Sequence, residues 1–190
     1  MRVGVIMLCG LLLGISACSL PRITVLSDPL TAAEHNDLGV AYEASGDRGL
    51  ALAAYAAAFA KDRAWDQPLI NHGNIHAAMG NWTDAATSYR RALRRNPGNP
   101  EAMNNLAYVL LQVNDTRQAM KWSERAVAVS PGNVAFISTR ALILAELGET
   151  AEAADILEQA LLRLSPDDPL RQAVQKLADE LSADRPTLSQ

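Results

Sequence analysis

The chain has 190 residues, of which 49% are hydrophobic, 5% aromatic and 20% charged, enough apolar content for a packed domain and too much for a disordered one. With 17 Lys and Arg against 21 Asp and Glu, the formal charge is -4. That balance argues against a general nucleic-acid binder, because phosphate attraction needs a dominant basic face.

The first segment differs in character from the rest. Met1 and Arg2 supply a positive start, Val3 to Ile15 form an apolar run, and Ser16-Ala17-Cys18 end it with small residues. This is the pattern of an export leader, and the run is shorter than the ~20 residues that a helical membrane span needs. Its ending, Leu13-Gly14-Ile15-Ser16-Ala17-Cys18, resembles the lipobox of bacterial lipoprotein signals. The resemblance implies that residues 1–17 are removed as a signal peptide and that Cys18 becomes the acylated first residue. The covalent lipid, of the palmitate type, is then the only added group, with no other cofactor and no metal expected. Several acyl chains give lasting attachment where one does not. Cys9 leaves with the leader and Cys18 is consumed by lipid, so no disulfide can form within one mature chain. Residues 18–31, with Pro21, Pro29 and no helical period, read as a tether of at most ~40 Å.

From residue 32 a 34-residue period runs four times. Ala51, Ala85, Ala119 and Ala153 fall in one column, Ala58, Ala92, Ala126 and Ala160 in a second, and Gly46, Gly80, Asn114 and Gly148 in a third. Such a period builds a solenoid of stacked helical hairpins. With Leu38, Gly39 and Tyr42 at the seventh, eighth and eleventh positions of a unit, Ala51, Tyr55 and Ala58 fall at the twentieth, twenty-fourth and twenty-seventh. This arrangement resembles the tetratricopeptide repeat, with units 32–65, 66–99, 100–133 and 134–167. The departures are His35 for the opening Trp, His72 and His76 for Leu and Tyr, Ala107 for Gly, and Pro166 one place late. The resemblance implies an all-α, right-handed superhelical solenoid of four hairpins.

Local signals support helices at these places. Thr31 and Glu34 have capping-box spacing, and Asn99-Pro100 and Asp168-Pro169 place an N-cap side chain before a Pro at the first helical position. Pro97 and Pro131 stop the second helices of their units. Beyond the repeats, Leu170, Val174, Leu177 and Leu181 form one apolar helical face, opposite Arg171, Gln172, Gln175, Lys176, Asp179 and Glu180. Residues 168–184 therefore read as a capping helix, and 185–190 as a loose tail.

Three constellations invite a chemical reading. His72 and His76, four apart on one helix, have a spacing that can chelate a metal, with His35 as a conceivable third ligand. Their repeat positions face the partner helix, so a packed or hydrogen-bonded pair is the preferred reading. Arg90, Arg91, Arg94 and Arg95 read as a solvated outer face, with acidic lipid or a partner as the alternative use. Trp65, Trp82 and Trp122 read as packing aromatics rather than contact residues.

The family resemblance also implies a binding surface, because its concave side is lined by the first helices of the units. The matching positions are Asn36, Val40 and Glu43, then Ile70, Asn71 and Asn74. Asn104, Asn105, Tyr108, Leu111 and Gln112 follow, then Ser138, Leu142 and Glu146. A carboxamide both donates and accepts, so a ladder of Asn can hold the backbone of an extended peptide. The clamp that chaperone-binding members use for a terminal carboxylate is broken, because Asn36, Val40, Asn104 and Tyr108 stand at its places and only Asn71 is retained.

No catalytic residues are identified, since no triad, phosphate loop or clustered acids stand out, and an open stack offers no water-excluding site. The chain is similar to the short tetratricopeptide lipoproteins of bacterial envelopes, the PilF, TadD and NlpI groups. The resemblance implies an anchored, non-enzymatic scaffold that faces the periplasm, with Ser19 pointing to the outer membrane. Its partner is expected to be an envelope protein or peptide segment in a pilus, secretion or cell-wall machine, with no nucleic acid and no small-molecule substrate. The alternative is a periplasmic holdase chaperone with many weak clients.

Overall fold

A computed structural model describes residues 28–183. The leader (1–17), Cys18, most of the tether and the 185–190 tail lie outside the described residues. Those that are described contain nine α-helices and no strand. The helices run in pairs: Ala32–Ala44 (α1) with Arg48–Lys61 (α2), Gln67–Ala78 (α3) with Trp82–Arg95 (α4), Pro100–Gln112 (α5) with Thr116–Val129 (α6), and Val134–Glu146 (α7) with Thr150–Leu161 (α8). Arg171–Ala183 (α9) packs on α8 and closes the stack. The architecture is an all-α helical repeat. No helix among the described residues is long and apolar enough to cross a membrane.

The helix starts follow their capping chemistry. Glu34 donates its N–H to Thr31 Oγ1 at 3.2 Å, and Thr31 donates its N–H to Glu34 Oε2 at 2.8 Å, the reciprocal pair that ends a helix without orphaned donors. Asn99 accepts from the Ala102 N–H at 3.0 Å with Pro100 at the first position, and Asn133 caps α7 in the same way. Asp168 behaves otherwise. Its carboxylate accepts from Leu170 N–H at 2.9 Å, which closes a turn two residues on rather than a helix, so α9 begins at Arg171. Leu170 is consequently 45% exposed and is not part of the capping face. Val174, Ala178 and Leu181 form that face instead, with Leu177 at its margin.

All four hairpin turns close identically. Gly46, Gly80 and Gly148 have φ of 83°, 75° and 83°, and Asn114 has 60°, the left-handed region that Gly and Asn tolerate best. The following residue then donates its N–H five places back in every unit, Asp47 to Tyr42, Asn81 to His76, Asp115 to Leu110 and Glu149 to Leu144, each at 2.9 Å. This bond satisfies a carbonyl that the helix end would leave open.

Small residues set how closely the helices of a hairpin approach. The two Ala columns are all at or below 1% exposure. A Cβ built on Gly39 would stand 2.5 Å from the Tyr55 ring, and one on Gly73 would stand 2.6 Å from that of Tyr89. At the same two positions the third unit carries Ala107 and Ser123, and the fourth Ala141 and Leu157. Glycine therefore stands where the opposing side chain is an aromatic ring. Cations at the thirtieth position tie three of the four hairpins to preceding backbone: Lys61 Nζ donates to Asp28 O at 2.7 Å, Arg95 Nη1 to Trp65 O at 2.7 Å and Arg163 Nη1 to Pro131 O at 3.0 Å, while the third unit carries Val129 there. Arg171 clamps the cap through the Leu161 and Leu164 carbonyls, at 3.0 and 2.8 Å. Among the described residues the apolar core runs from Ala51 to Leu181.

Two stability predictions follow from this packing. Ala92→Leu should overpack the stack and lower the unfolding free energy by about 1 to 3 kcal/mol in urea titrations. Gly73→Ala should destabilise by a similar amount, about 1 to 3 kcal/mol, and by less in a Tyr89→Leu background, which recreates the Ala141 and Leu157 pairing. Equal costs in both backgrounds of that double-mutant cycle would show that the ring does not set the constraint.

Candidate peptide-binding face

The first helices of successive hairpins converge. α3 packs on α5 and α5 on α7, whereas among the described residues no comparable packing joins successive second helices. The first helices therefore form the inner side of the stack and the second helices the outer side. Most of the residues expected at the groove belong to this inner layer, but they are not equally available.

The asparagines are joined into two networks. In the first, Gln67 Nε2 donates to Asn71 Oδ1 and Asn71 Nδ2 to Asn36 Oδ1, both at 3.0 Å. In the second, Asn74 Oδ1 accepts from Tyr89 Oη at 2.8 Å and from Asn105 Nδ2 at 3.0 Å, and Asn104 Nδ2 donates to Asn105 Oδ1 at 3.3 Å. Burial pushes the Tyr89 hydroxyl well above its ordinary pKa, so it remains a donor at any physiological pH. The Asn104 carboxamide is 91% buried, yet its Oδ1 has no partner. It borders a hollow of about 200 Å³ that is also lined by Asn74, Asn105, Tyr108 and Thr139.

The remaining expected residues divide. Ile70 is fully buried and belongs to the core, so it offers no surface to a ligand in this structure, and Leu111 packs against the same cluster. Asn36 is only 8% exposed and acts through Asn71. Ser138 spends its hydroxyl on the Val134 carbonyl at 2.9 Å. Glu43 is exposed and accepts from Tyr55 Oη at 2.9 Å. Tyr108 and Val40 are 38% and 49% exposed, Gln112 and Glu146 are exposed, and Leu142 is half-buried. Trp82 packs edge-on against Tyr108 of the next unit with ring centroids 6.3 Å apart, as its reading as a packing aromatic implies, whereas the place of Thr139 beside Asn104 has no signal in the sequence because it joins different units.

The histidines pack within the fold, with His76 Nδ1 buried and without a hydrogen-bond partner. His35 bonds Asp28, and this interaction is the main cause of a lowered Asp28 pKa. His72 Nδ1 lies 3.1 Å from Ser88 Oγ, its ring 4.7 Å from that of His76 and edge-on to Phe59. The arginine cluster splits by helical period. Arg91 lies 4.6 Å over the Phe59 ring and Arg95 holds backbone carbonyls, while Arg90 and Arg94 remain exposed. The three Trp are half-buried, and Arg125 stacks on Trp122 at 4.4 Å.

With this geometry in view, the comparisons with known proteins agree on one architecture. The tetratricopeptide repeat family matches residues 70–134 and 124–169, more than half of the chain, and the chain belongs to that family. Among solved structures it is similar to the MamA protein, at 19% identity over 80% of this chain and 86% of the other, with a TM-score of 0.62. It is similar to YrrB, described as a tetratricopeptide protein with an unusual peptide-binding site, at 18% identity over 81% and 88% with a TM-score of 0.59. It is also similar to the first tetratricopeptide domain of Spaghetti (RPAP3), solved with the HSP90 peptide SRMEEVD, at 17% identity over 64% and 96% with a TM-score of 0.60. At these identities the likeness is one of fold.

The His72 environment predicts a pH dependence. Burial first, then the neighbouring His76 and Arg91, push His72 down to about 4, so the folded state holds the ring neutral while the unfolded chain protonates it near 6.5. The unfolded state then binds more protons between those values, and stability, complete above pH 6.5, falls as the pH drops towards about 4. Urea midpoints at pH 7 and pH 5 should show the loss. His72→Leu, which installs the residue found at Leu38 and Leu106, should flatten it.

Proposed function

We propose that this chain is a lipid-anchored, non-enzymatic adaptor of the bacterial envelope that holds an extended peptide segment of a partner protein along its first helices. The observation that carries the reading is the inner face itself. Two pre-organised amide networks run along it, and the Asn104 Oδ1 acceptor stands unpartnered beside the half-exposed Tyr108. That acceptor lies beneath the surface, so a partner's N–H would reach it only by displacing the side chains over it, while the exposed Val40, Glu43, Tyr108 and Gln112 are open directly to a peptide. Two similar folds described as binding peptides support the choice of ligand class. Cys18, through its lipobox-like context, supports a membrane-held protein facing the periplasm, with its partner in a pilus, secretion or cell-wall assembly.

Crosslinking in cells, followed by identification of captured proteins, tests the groove. One dominant partner should be recovered, and it should be lost from Asn71→Ala with Asn104→Ala and from the surface variant Tyr108→Ala, each checked for an unchanged melt. A broad client list that survives these substitutions would instead make the protein a holdase chaperone. The anchor has its own readout, since Cys18→Ser should move the protein from the membrane to the soluble fraction, and unchanged membrane retention would defeat lipidation at that residue.

A further inference from the structure

The outer face carries a charge pattern that the groove does not use. α4 and α6 together hold seven Lys or Arg and only two acids, Asp84 and Glu124, in a chain that is negative overall. Arg91 and Arg95 are drawn into packing, as described above. The other five are exposed and aligned, Arg90 and Arg94 four apart on α4, and Arg117, Lys121 and Arg125 four apart on α6, so each set stands on one helical face. None of the ion pairs among the described residues, Asp28 with His35 and Lys61, Arg140 with Glu152 and Lys176 with Glu180, involves these five cations. Like charges at this spacing repel one another, an unfavourable arrangement that an anionic surface would relieve.

Trp122 stands between the two stripes. It closes a hollow of about 280 Å³ with Arg90, Leu93 and Arg94 on one side, and on the other it borders a second hollow of about 390 Å³ with Gln118, Lys121, Glu124 and Arg125, where the two cations outnumber the one acid. Arg125 stacks on its ring at 4.4 Å. A half-buried indole flanked by long cationic side chains is the composition that settles at a bilayer interface, with the ring at headgroup depth and the cations on phosphates. Since these are second helices, the patch lies on the outer side of the stack, away from the Asn networks.

We infer that the α4 and α6 stripes, with Trp122 between them, form a docking surface for an anionic phospholipid bilayer, which seats the stack outer side down and leaves the inner face open. The charge complementarity stands on these residues alone. The proposed anchor at Cys18 would supply only proximity, so the test omits it.

The chain from Ser19 to Gln190, which contains every helix of the described residues, is purified without lipid and floated with vesicles of neutral phosphatidylcholine or of phosphatidylcholine with about one-third phosphatidylglycerol. It should bind only the anionic vesicles and dissociate in about 0.5 M NaCl. Each basic residue near such a surface contributes a factor of about five, so Arg90→Glu with Arg94→Glu, and separately Lys121→Glu with Arg125→Glu, should weaken partitioning by about 25-fold or more. Arg48→Glu with Lys176→Glu, the same change in net charge elsewhere, should keep most of the binding; the stripe variants should melt like the parent, and the control slightly lower because it gives up the Lys176–Glu180 pair. Equal binding to neutral vesicles, no binding to anionic ones, or an equal loss in the control variant would overturn the assignment. So would binding of the stripes to an acidic polypeptide or a nucleic-acid duplex but not to vesicles. None of these results depends on Cys18, whose role is read separately by cell fractionation.

Discussion

Everything in this stack depends on how closely the two helices of a hairpin approach. The approach is set where an eighth-position residue of the first helix meets the twenty-fourth-position residue of the second, Gly39 against Tyr55 and Gly73 against Tyr89. A side chain at either glycine would collide with a buried ring, and a wider spacing would open voids along the fully buried alanine columns. Interiors pack too densely to absorb either change at one hairpin without passing it to the next. In the units that lack the tyrosine, alanine replaces glycine, so the volume lost on one side is restored on the other.

The same contact reaches the inner face. Tyr89 fills the space left by Gly73 and ends with its hydroxyl on Asn74, which in turn receives Asn105. Tyr55 does the equivalent beneath Glu43. The polar groups of the inner face are thus held by rings whose positions the core determines. Such a face is stiff.

The helical period separates two duties within one run of arginines. Arg91 and Arg95 turn towards Phe59 and the carbonyls of the preceding unit, while Arg90 and Arg94 turn outward. One charged segment therefore ties units together and also contributes to the outer surface. Charge on the outer side and amides on the inner side give the stack two unlike faces, and one can be engaged without obstructing the other.

The sequence by itself determined the repeat architecture, because a hairpin is a local object. Its caps, its left-handed turn residue and its small columns recur at a fixed spacing and act within a few residues of one another. The capping helix was legible on the same grounds, except at its start, where the Asp168 side chain prefers a turn to a cap. Individual availability at the groove was not legible. Ile70 and Asn104 occupy expected positions, but whether such a residue is core, support or a buried unpaired acceptor depends on neighbours 30 or more residues away, as Asn71 with Asn36 and Asn105 with Asn74 illustrate. The ties from Lys61, Arg95 and Arg163 to preceding carbonyls were hidden for the same reason, since a backbone oxygen leaves no signature in residue type. Only the tertiary structure decided these, because hydrogen bonding and burial between units depend on how the hairpins stack and not on the pattern within one.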